Sequence, residues 1–328
     1  MKLLLATDGS DSARLALDFL RAFPLPRDSE LTILSVIDKA LYGTHEEESS
    51  LNGEQLDALR KTRDMLREET EQLLAQEAER FENAELTWST LVRHGQPADE
   101  ILKAACDLGA DLIVMGSHGL GGIKRFLLGS TSDQVMQYAS CSVLIVRPDS
   151  TGDTDDAMRL QHPLHLLVAY DDSPHARRAA EFCASLPMSE ETRITALSVM
   201  PLVTLYRQDV QQQLGWMWQE KKKVLEKGLE ALASEIAWPT PHVATQVRES
   251  AEVSDAILDA ADELVQHVAD RPLVGHLALD ALGHELQRVL DFLLEVAVRR
   301  AARHRADRSH TTVRLVGAPL VEVGLARC

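Results

Sequence analysis

The sequence predicts two copies of an α/β unit, each a doubly wound parallel sheet with helices on both faces. Three observations carry that expectation. The chain resembles itself at a fixed offset, strand and helix signals alternate within each copy, and a glycine-spaced loop follows a buried strand in the first copy only.

The offset is 163 residues. Residues 3–20 read LLLATDGSDSARLALDFL, and residues 166–183 read LLVAYDDSPHARRAAEFC. Leu34-Ser35-Val36 returns as Leu197-Ser198-Val199, and ADEILKAACDL at 98–108 resembles SDAILDAADEL at 254–264. The segment 149–161 is rich in Asp, Ser, Thr and Gly, a composition that suits a linker. The chain therefore divides into a first unit 1–148, a linker 149–161, a second unit 162–264 and a divergent segment 265–328.

Each element of the first unit has a local cause. Lys2–Ala6 is a short apolar run, hence a buried strand. Ser10 or Ser12 caps a helix carrying Ala13, Leu17 and Leu20 on one face, and Pro24 and Pro26 stop it. Leu31–Ile37 is the second strand. After the polar stretch 38–53 comes a long helix, 54–80, with Leu59, Leu66 and Leu73 at heptad spacing. Leu86–Val92 alternates as a strand. Pro97 opens a helix that turns Ile101, Leu102 and Ala105 inward, and Gly109 ends it. Asp111–Met115 is an apolar strand, residues 130–139 a helix and Ser142–Val146 the last strand. This alternation implies a parallel sheet buried on both faces.

Composition excludes several function classes. Lys plus Arg is 34 and Asp plus Glu is 51, so the net charge is −17. So acidic a chain is a poor match to nucleic acid or to an anionic membrane surface. The aromatic share of 4% argues against a stacking platform for single strands. No apolar run approaches the length of a membrane span, and Asp8 interrupts the apolar start too early for a signal segment, so the expected location is the cytoplasm. Cys106, Cys141, Cys183 and Cys328 form no CxxC pair, which reads as reduced thiols, the first three in or near the core.

The chemistry concentrates in residues 115–132, M-G-S-H-G-L-G-G-I-K-R-F-L-L-G-S-T-S. Two residues separate Gly116 from Gly119, and nine residues separate Gly119 from Gly129-Ser130. Ligands of open parallel sheets bind outside the carboxyl ends of the strands. Glycines admit close approach of backbone to a ligand, and a helix starting near Ser130 offers unpaired N–H groups and a positive dipole end. Ser130, Thr131 and Ser132 add hydroxyls. Together these describe an anion site for a phosphorylated ligand. The plain alternative is that the glycines serve tight turns and the Ser-Thr-Ser run only caps a helix. The loop is neither a Walker A motif nor a G-x-G-x-x-G fingerprint.

The run V-M-G-S-H-G, nine residues, then G-S-T-S, with a first strand ending A-T-D-G-S, closely resembles the universal stress protein family over residues 1–148. That resemblance implies a fold related to adenine-nucleotide alpha hydrolase-like domains, in a family with tandem two-domain members. Its ATP-binding members carry the same glycine spacing. By that resemblance Ala6, Thr7 and Asp8 lie against adenine and ribose, and Val36 offers its backbone to the adenine edge. Met115, Gly116, Gly119, Gly129, Ser130, Thr131 and Ser132 wrap the ribose and phosphates. ATP is the implied ligand, with Mg2+ or Mn2+ accompanying the phosphates, and pairing of the two units as an internal pseudo-dimer, or of two chains as a homodimer, is implied too. Lys124 and Arg125 either reach outer phosphates or form a solvated loop face. His118 reads as an exposed loop histidine or a phosphate donor; no Asp or Glu stands at a fixed spacing from it, so no general base is proposed.

The second unit departs from this pattern. Tyr170-Asp171-Asp172-Ser173 replaces Thr7-Asp8-Gly9-Ser10, and no Gly-x2-Gly-x9-Gly-Ser follows Leu264. Residues 276–300 read as an amphipathic helix and 299–308 is basic. After Leu264 there are nine arginines and no lysine. Either this is a degenerate copy that lost its nucleotide site, or the tail is translated out of frame. In the second case its sheet would lack its last strands and expose an edge. No nucleotide site is expected here on either account.

Three functions compete: an ATP-binding regulatory protein of the stress response, with at most slow hydrolysis; an ATP-consuming enzyme of the same fold; and a dimerisation scaffold that binds no nucleotide. T-D-G-S-D-S at 7–12 faintly resembles a pyrophosphatase loop but lacks the paired glycines, and no nucleophile–base constellation or metal-carboxylate pair is visible.

Overall fold

The computed structural model describes residues 1–39, 51–82, 84, 86–119, 129–147, 164–202, 208–269, 311–316 and 321–325. These fall into two compact units, 1–147 and 164–325. Lys124 and Arg125, the linker 149–161, the helix expected at 276–300 and the basic run 299–308 lie outside the described residues.

In the first unit the elements run β1 (Lys2–Ala6), α1 (Asp11–Ala22), β2 (Glu30–Asp38), α2 (Gly53–Ala78), a 3-10 turn (Glu79–Phe81), β3 (Thr87–Gly95), α3 (Pro97–Leu108), β4 (Leu112–Gly116), α4 (Ser130–Tyr138) and β5 (Ser142–Val146). All strand pairings are parallel, in the order β3-β2-β1-β4-β5. Local chemistry sets the helix ends. Ser10 caps α1, its hydroxyl accepting from the Ala13 amide at 3.2 Å. Asn52 and Gln55 form a reciprocal capping box on α2. Pro97 opens α3, and Gly109, at φ 61°, closes it in the left-handed region. The expected long helix ends at Ala78, and its last turn tightens into the 3-10 segment.

The central strands are apolar on both faces, as burial on both sides requires. Leu4, Ala6, Leu34, Ile113, Met115, Val143 and Ile145 pack against Ala98, Ile101, Ala104 and Ala105 of α3 and Val135 of α4. The alternate residues, Leu3, Leu5, Ile33, Leu112 and Val114, are fully buried on the opposite face, where α1 and α2 lie.

The second unit runs β6 (His165–Ala169), α5 (Pro174–Ser185), β7 (Arg193–Pro201), α6 (Gln208–Glu235), β8 (Val243–Ser250), α7 (Val253–Ala269), β9 (Thr311–Val316) and β10 (Val321–Leu325). The pairings β6–β7 and β7–β8 are parallel and repeat β1–β2–β3. β9 pairs antiparallel with β6, and β10 antiparallel with β9. The edge expected beyond β6 on the out-of-frame account is thus covered, by strands of reversed direction. Cys183 is buried, and burial pushes its thiol up to about 12. Cys106, expected in or near the core, is instead exposed on α3.

Candidate functional site

In the first unit the chain builds the sheet outward from β1 to β3, then crosses back to add β4 and β5 on the other side of β1. β1 and β4 are neighbours, with Ala6 opposite Met115. A reversal of this kind leaves a crevice at the carboxyl ends of the two strands. Ala6 and Met115 stand side by side at these strand ends, with Thr7 and Asp8 following β1 and Gly119 following β4.

Past β1, the buried Thr7 prolongs the sheet by one bond, its amide donating to the Leu34 carbonyl at 2.9 Å. The chain then turns sharply. Asp8 Oδ1 accepts from the Ser10 amide at 3.1 Å, Gly9 takes φ 74°, and Thr7 Oγ1 accepts from the Gly9 amide at 3.2 Å. Asp8 itself is exposed. β2 runs on to Asp38, beyond the end of β1. Because Leu34 turns its carbonyl toward β1, Val36, two residues on, turns its backbone the same way, into the space that β1 has left.

Past β4, Ser117 is fully buried and its amide donates to the Val146 carbonyl at 2.9 Å. The His118 amide donates to Ser12 Oγ at 3.3 Å, and Ser10 Oγ donates to the His118 carbonyl at 3.3 Å. The start of α1 is therefore stitched to this loop. His118 is half-buried, not an exposed loop residue, with Nδ1 2.9 Å from Ser117 Oγ. The Gly129 amide donates to the Ser117 carbonyl at 2.8 Å, bringing the start of α4 back beside the end of β4.

Each glycine of the motif has its own physical reason. A Cβ on Gly116 would stand 2.5 Å from the Ser12 carbonyl carbon, so this glycine lets α1 pack on β4. On Gly119 a Cβ would stand 2.5 Å from Asp8 Oδ2, so the two loops touch through that carboxylate. On Gly129 the nearest atom would be the Ser117 carbonyl oxygen at 3.3 Å. Gly116, expected against phosphate, is thus accounted for by helix packing. Ser132 departs too: it is buried, and its hydroxyl donates to the Gly116 carbonyl at 2.9 Å. Ser130 and Thr131 stand in the first turn of α4, whose amides have no intrahelical acceptor and whose cap, Gly129, supplies no side-chain bond.

Sequence reasoning missed Glu77. This carboxylate sits on the buried face of α2 with Leu74 and Ala78 and is only 3% exposed. Neither of its oxygens makes a hydrogen bond to the protein. Burial raises its pKa above the usual carboxylate range and Asp8 adds to the rise, while the Thr7 hydroxyl, Arg80 and Arg14 oppose it. The legible signal was an acid inside the apolar pattern Leu74, Ala78, Phe81. Ser12 and Ser117 were visible only as polar residues near the motif, since their role depends on contacts between distant segments.

Among the described residues no three His, Cys, Asp or Glu side chains gather to hold a metal ion.

The corresponding place in the second unit is built differently. The Tyr170 amide donates to the Leu197 carbonyl at 2.8 Å, repeating Thr7, and Ser173 caps α5. Tyr170 is 4% exposed and its hydroxyl donates to Asp172 Oδ1 at 2.9 Å; burial first, then Asp172, pushes it up to about 12. Beside β6, β9 runs in the opposite sense.

A family model described as the universal stress protein family matches residues 1–147. Universal stress protein YxiE of Bacillus subtilis is 36% identical over 152 residues, covering 44% of this chain and 98% of its own length. Universal stress protein MJ0577 of Methanocaldococcus jannaschii is 32% identical over 154 residues, covering 44% and 94%. A solved universal stress protein from Archaeoglobus fulgidus is 21% identical, covers 80% of this chain and 83% of its own, and has a TM-score of 0.49.

Proposed function

Because the chain belongs to the universal stress protein family, we propose that its first unit is a regulatory module that binds an adenine nucleotide, ATP in the first place, in the crevice between β1 and β4. One observation supports this reading most: at the strand reversal, the Asp8 turn and the Ser117–Gly119 loop touch, with the start of α4 drawn in by the bond from Gly129 to Ser117. Adenine would lie over Ala6 and Met115, with its edge on the backbone of Val36. Asp8 would accept from the ribose hydroxyls, since a carboxylate repels phosphate. The triphosphate would run from Gly119 toward the first-turn amides and hydroxyls of Ser130 and Thr131, where the helix dipole favours negative charge.

The same geometry favours binding over turnover. Among the described residues, Ser117 and His118 come nearest to a nucleophile–base pair at this crevice, and Ser117 is wholly buried, out of reach of a phosphate. At most slow hydrolysis is expected. The second unit is read as a copy that keeps the β6–β8 framework without a nucleotide site.

Mass spectrometry of ligand co-purifying with the full chain, followed by calorimetric titration with ATP, ADP, AMP, cyclic AMP and GTP, tests the reading. The expected result is saturable binding of adenine nucleotides at one site per chain, with GTP weaker and single-turnover hydrolysis slow. No affinity for any adenine nucleotide would remove the proposal and favour the scaffold reading.

A further inference from the structure

β8 is the outer strand of the second unit: among the described residues it pairs only with β7. The bonds to β7 show which of its backbone groups remain. The Ile194 amide donates to the His242 carbonyl at 2.9 Å, and the Leu202 amide to the Ser250 carbonyl at 2.7 Å. Successive residues of a strand direct their N–H and C=O to opposite sides, so 242, 244, 246, 248 and 250 serve β7. Val243, Thr245, Val247 and Glu249 therefore turn their amides and carbonyls off the edge. The register with β7 is continuous, without a bulge, and β8 holds neither lysine nor proline. Those are the devices that ordinarily blunt an edge.

Beside this edge, between β8 and α6, lies a cavity of about 220 Å³. Thr245, Gln246 and Val247 line it from the strand, and Leu229, Glu226 and Glu230 from the helix. Leu229 is buried and forms an apolar floor, while the two glutamates are exposed at the rim. The space suits one long side chain, not a drug-sized ligand. Nearby cations are engaged elsewhere. Lys222 of α6 pairs with Glu249 at 3.2 Å, and Arg248 pairs with Glu263 of α7. The charges lining the cavity itself are both negative.

We propose that this edge docks an extended basic segment of another protein, which adds a strand to β8 and lays a lysine into the cavity. The backbone of the segment would bond to Val243, Thr245, Val247 and Glu249, as peptides do when they extend a sheet. The lysine stem would cover Leu229 and Val247 and carry its ammonium to Glu226 and Glu230. Charge decides the occupant. A second copy of this chain, with a net charge of −17, would bring its own acidic rim to the same place, where like charges oppose. The proposal lies wholly in the second unit and does not rest on the nucleotide reading.

The test uses the full chain labelled with 15N-valine and an eight-residue peptide alternating lysine and threonine, blocked at both ends. The Val243 and Val247 amides should exchange freely alone and slow by about tenfold or more when the peptide is saturating. Fluorescence anisotropy should show saturable binding that weakens as salt is raised, and none for the matching peptide of glutamate and threonine. Thr245→Pro removes an outward N–H that the β7 ladder does not use, so the fold is kept. Peptide affinity in it should fall about tenfold or more, because the ring blocks the added strand. Glu226→Gln combined with Glu230→Gln alters only exposed side chains and should weaken binding about fivefold. If Thr245→Pro does not fold, the glutamine pair and the valine exchange decide. No affinity for the basic peptide, equal affinity for the acidic one, or a bound peptide that leaves Val243 and Val247 unprotected overturns the proposal. Sedimentation of the chain without peptide supplies the last arm. A dimer that Thr245→Pro dissolves would give the edge to a second copy and overturn the proposal too.

Discussion

In the first unit the strand beside β1 runs with it and ends at the same side of the sheet; in the second unit the strand beside β6 runs against it. The backbone turn upstream of that difference is shared. Thr7 and Tyr170 donate to matching carbonyls on β2 and β7. Gly9 and Asp172, one offset apart, both take positive φ, 74° and 63°. Ser10 and Ser173 cap matching helices. The turn geometry is thus a property of the framework, and Asp tolerates it where Gly is absent. What the first unit adds is the second loop: a parallel neighbour delivers Ser117–Gly119 to Asp8, and no antiparallel strand can deliver a loop by that route. The lower half of each crevice differs as well. Glu77 is buried without a bonded partner, whereas Glu235, at the matching end of α6, pairs with Arg177 at 2.6 Å.

The strongest way to break this comparison is Gly116→Val. Its Cβ would meet the backbone of Ser12 at 2.5 Å, so the first unit should lose about 3 kcal/mol or more, or fail to fold. Thermal unfolding should show a lost or lowered transition for the first unit alone. Full stability in this variant would mean that α1 does not pack on β4 as described.

A smaller effect separates the two acidic turns. Asp8→Ala should weaken ATP binding about tenfold, and Asp171→Ala should leave it unchanged. Titration calorimetry on the two variants measures both, and equal losses would erase the asymmetry between the units.

The smallest effect is a pair of opposed pH responses. Glu77 has a folded pKa raised above its unfolded value, so its contribution to stability is present in acid and is lost as pH rises through the folded pKa. His165, beside Thr195 Oγ1 at 3.0 Å, is lowered to about 4 by burial first and Arg193 second. Its contribution is present above about 6.5 and is lost as pH falls toward 4. Glu77→Gln should therefore raise the first unit's melting temperature most at neutral pH, and His165→Gln should flatten the second unit's acid-side loss. Melting curves across pH 4 to 8 check both signs.

Most of the framework was legible because its signals are local. The apolar run of Leu3–Leu5, the caps at Ser10 and Gly109, and Pro97 at the head of α3 each act within a few residues. The loop was legible by its spacing, but the work of its glycines was not: whether Gly116 faces a ligand or Ser12 depends on a contact between residues a hundred apart. Glu77 was harder to see: it stands inside the apolar pattern Leu74, Ala78, Phe81, but the same helix carries many acids, and only packing against distant segments singles this one out. The reversed direction of β9 was invisible because strand direction is a property of pairing, and apolar runs look alike in both senses.

The bond from Gly129 to Ser117 ties the start of α4 to the end of β4 at one point. Closing a loop costs little more when its length changes modestly, because the penalty grows only with the logarithm of length. With strand and helix clamped there, the framework of β4 and α4 holds whatever the length of the connection between them, and a lineage, or an engineer, can vary that connection without reopening the architecture beneath.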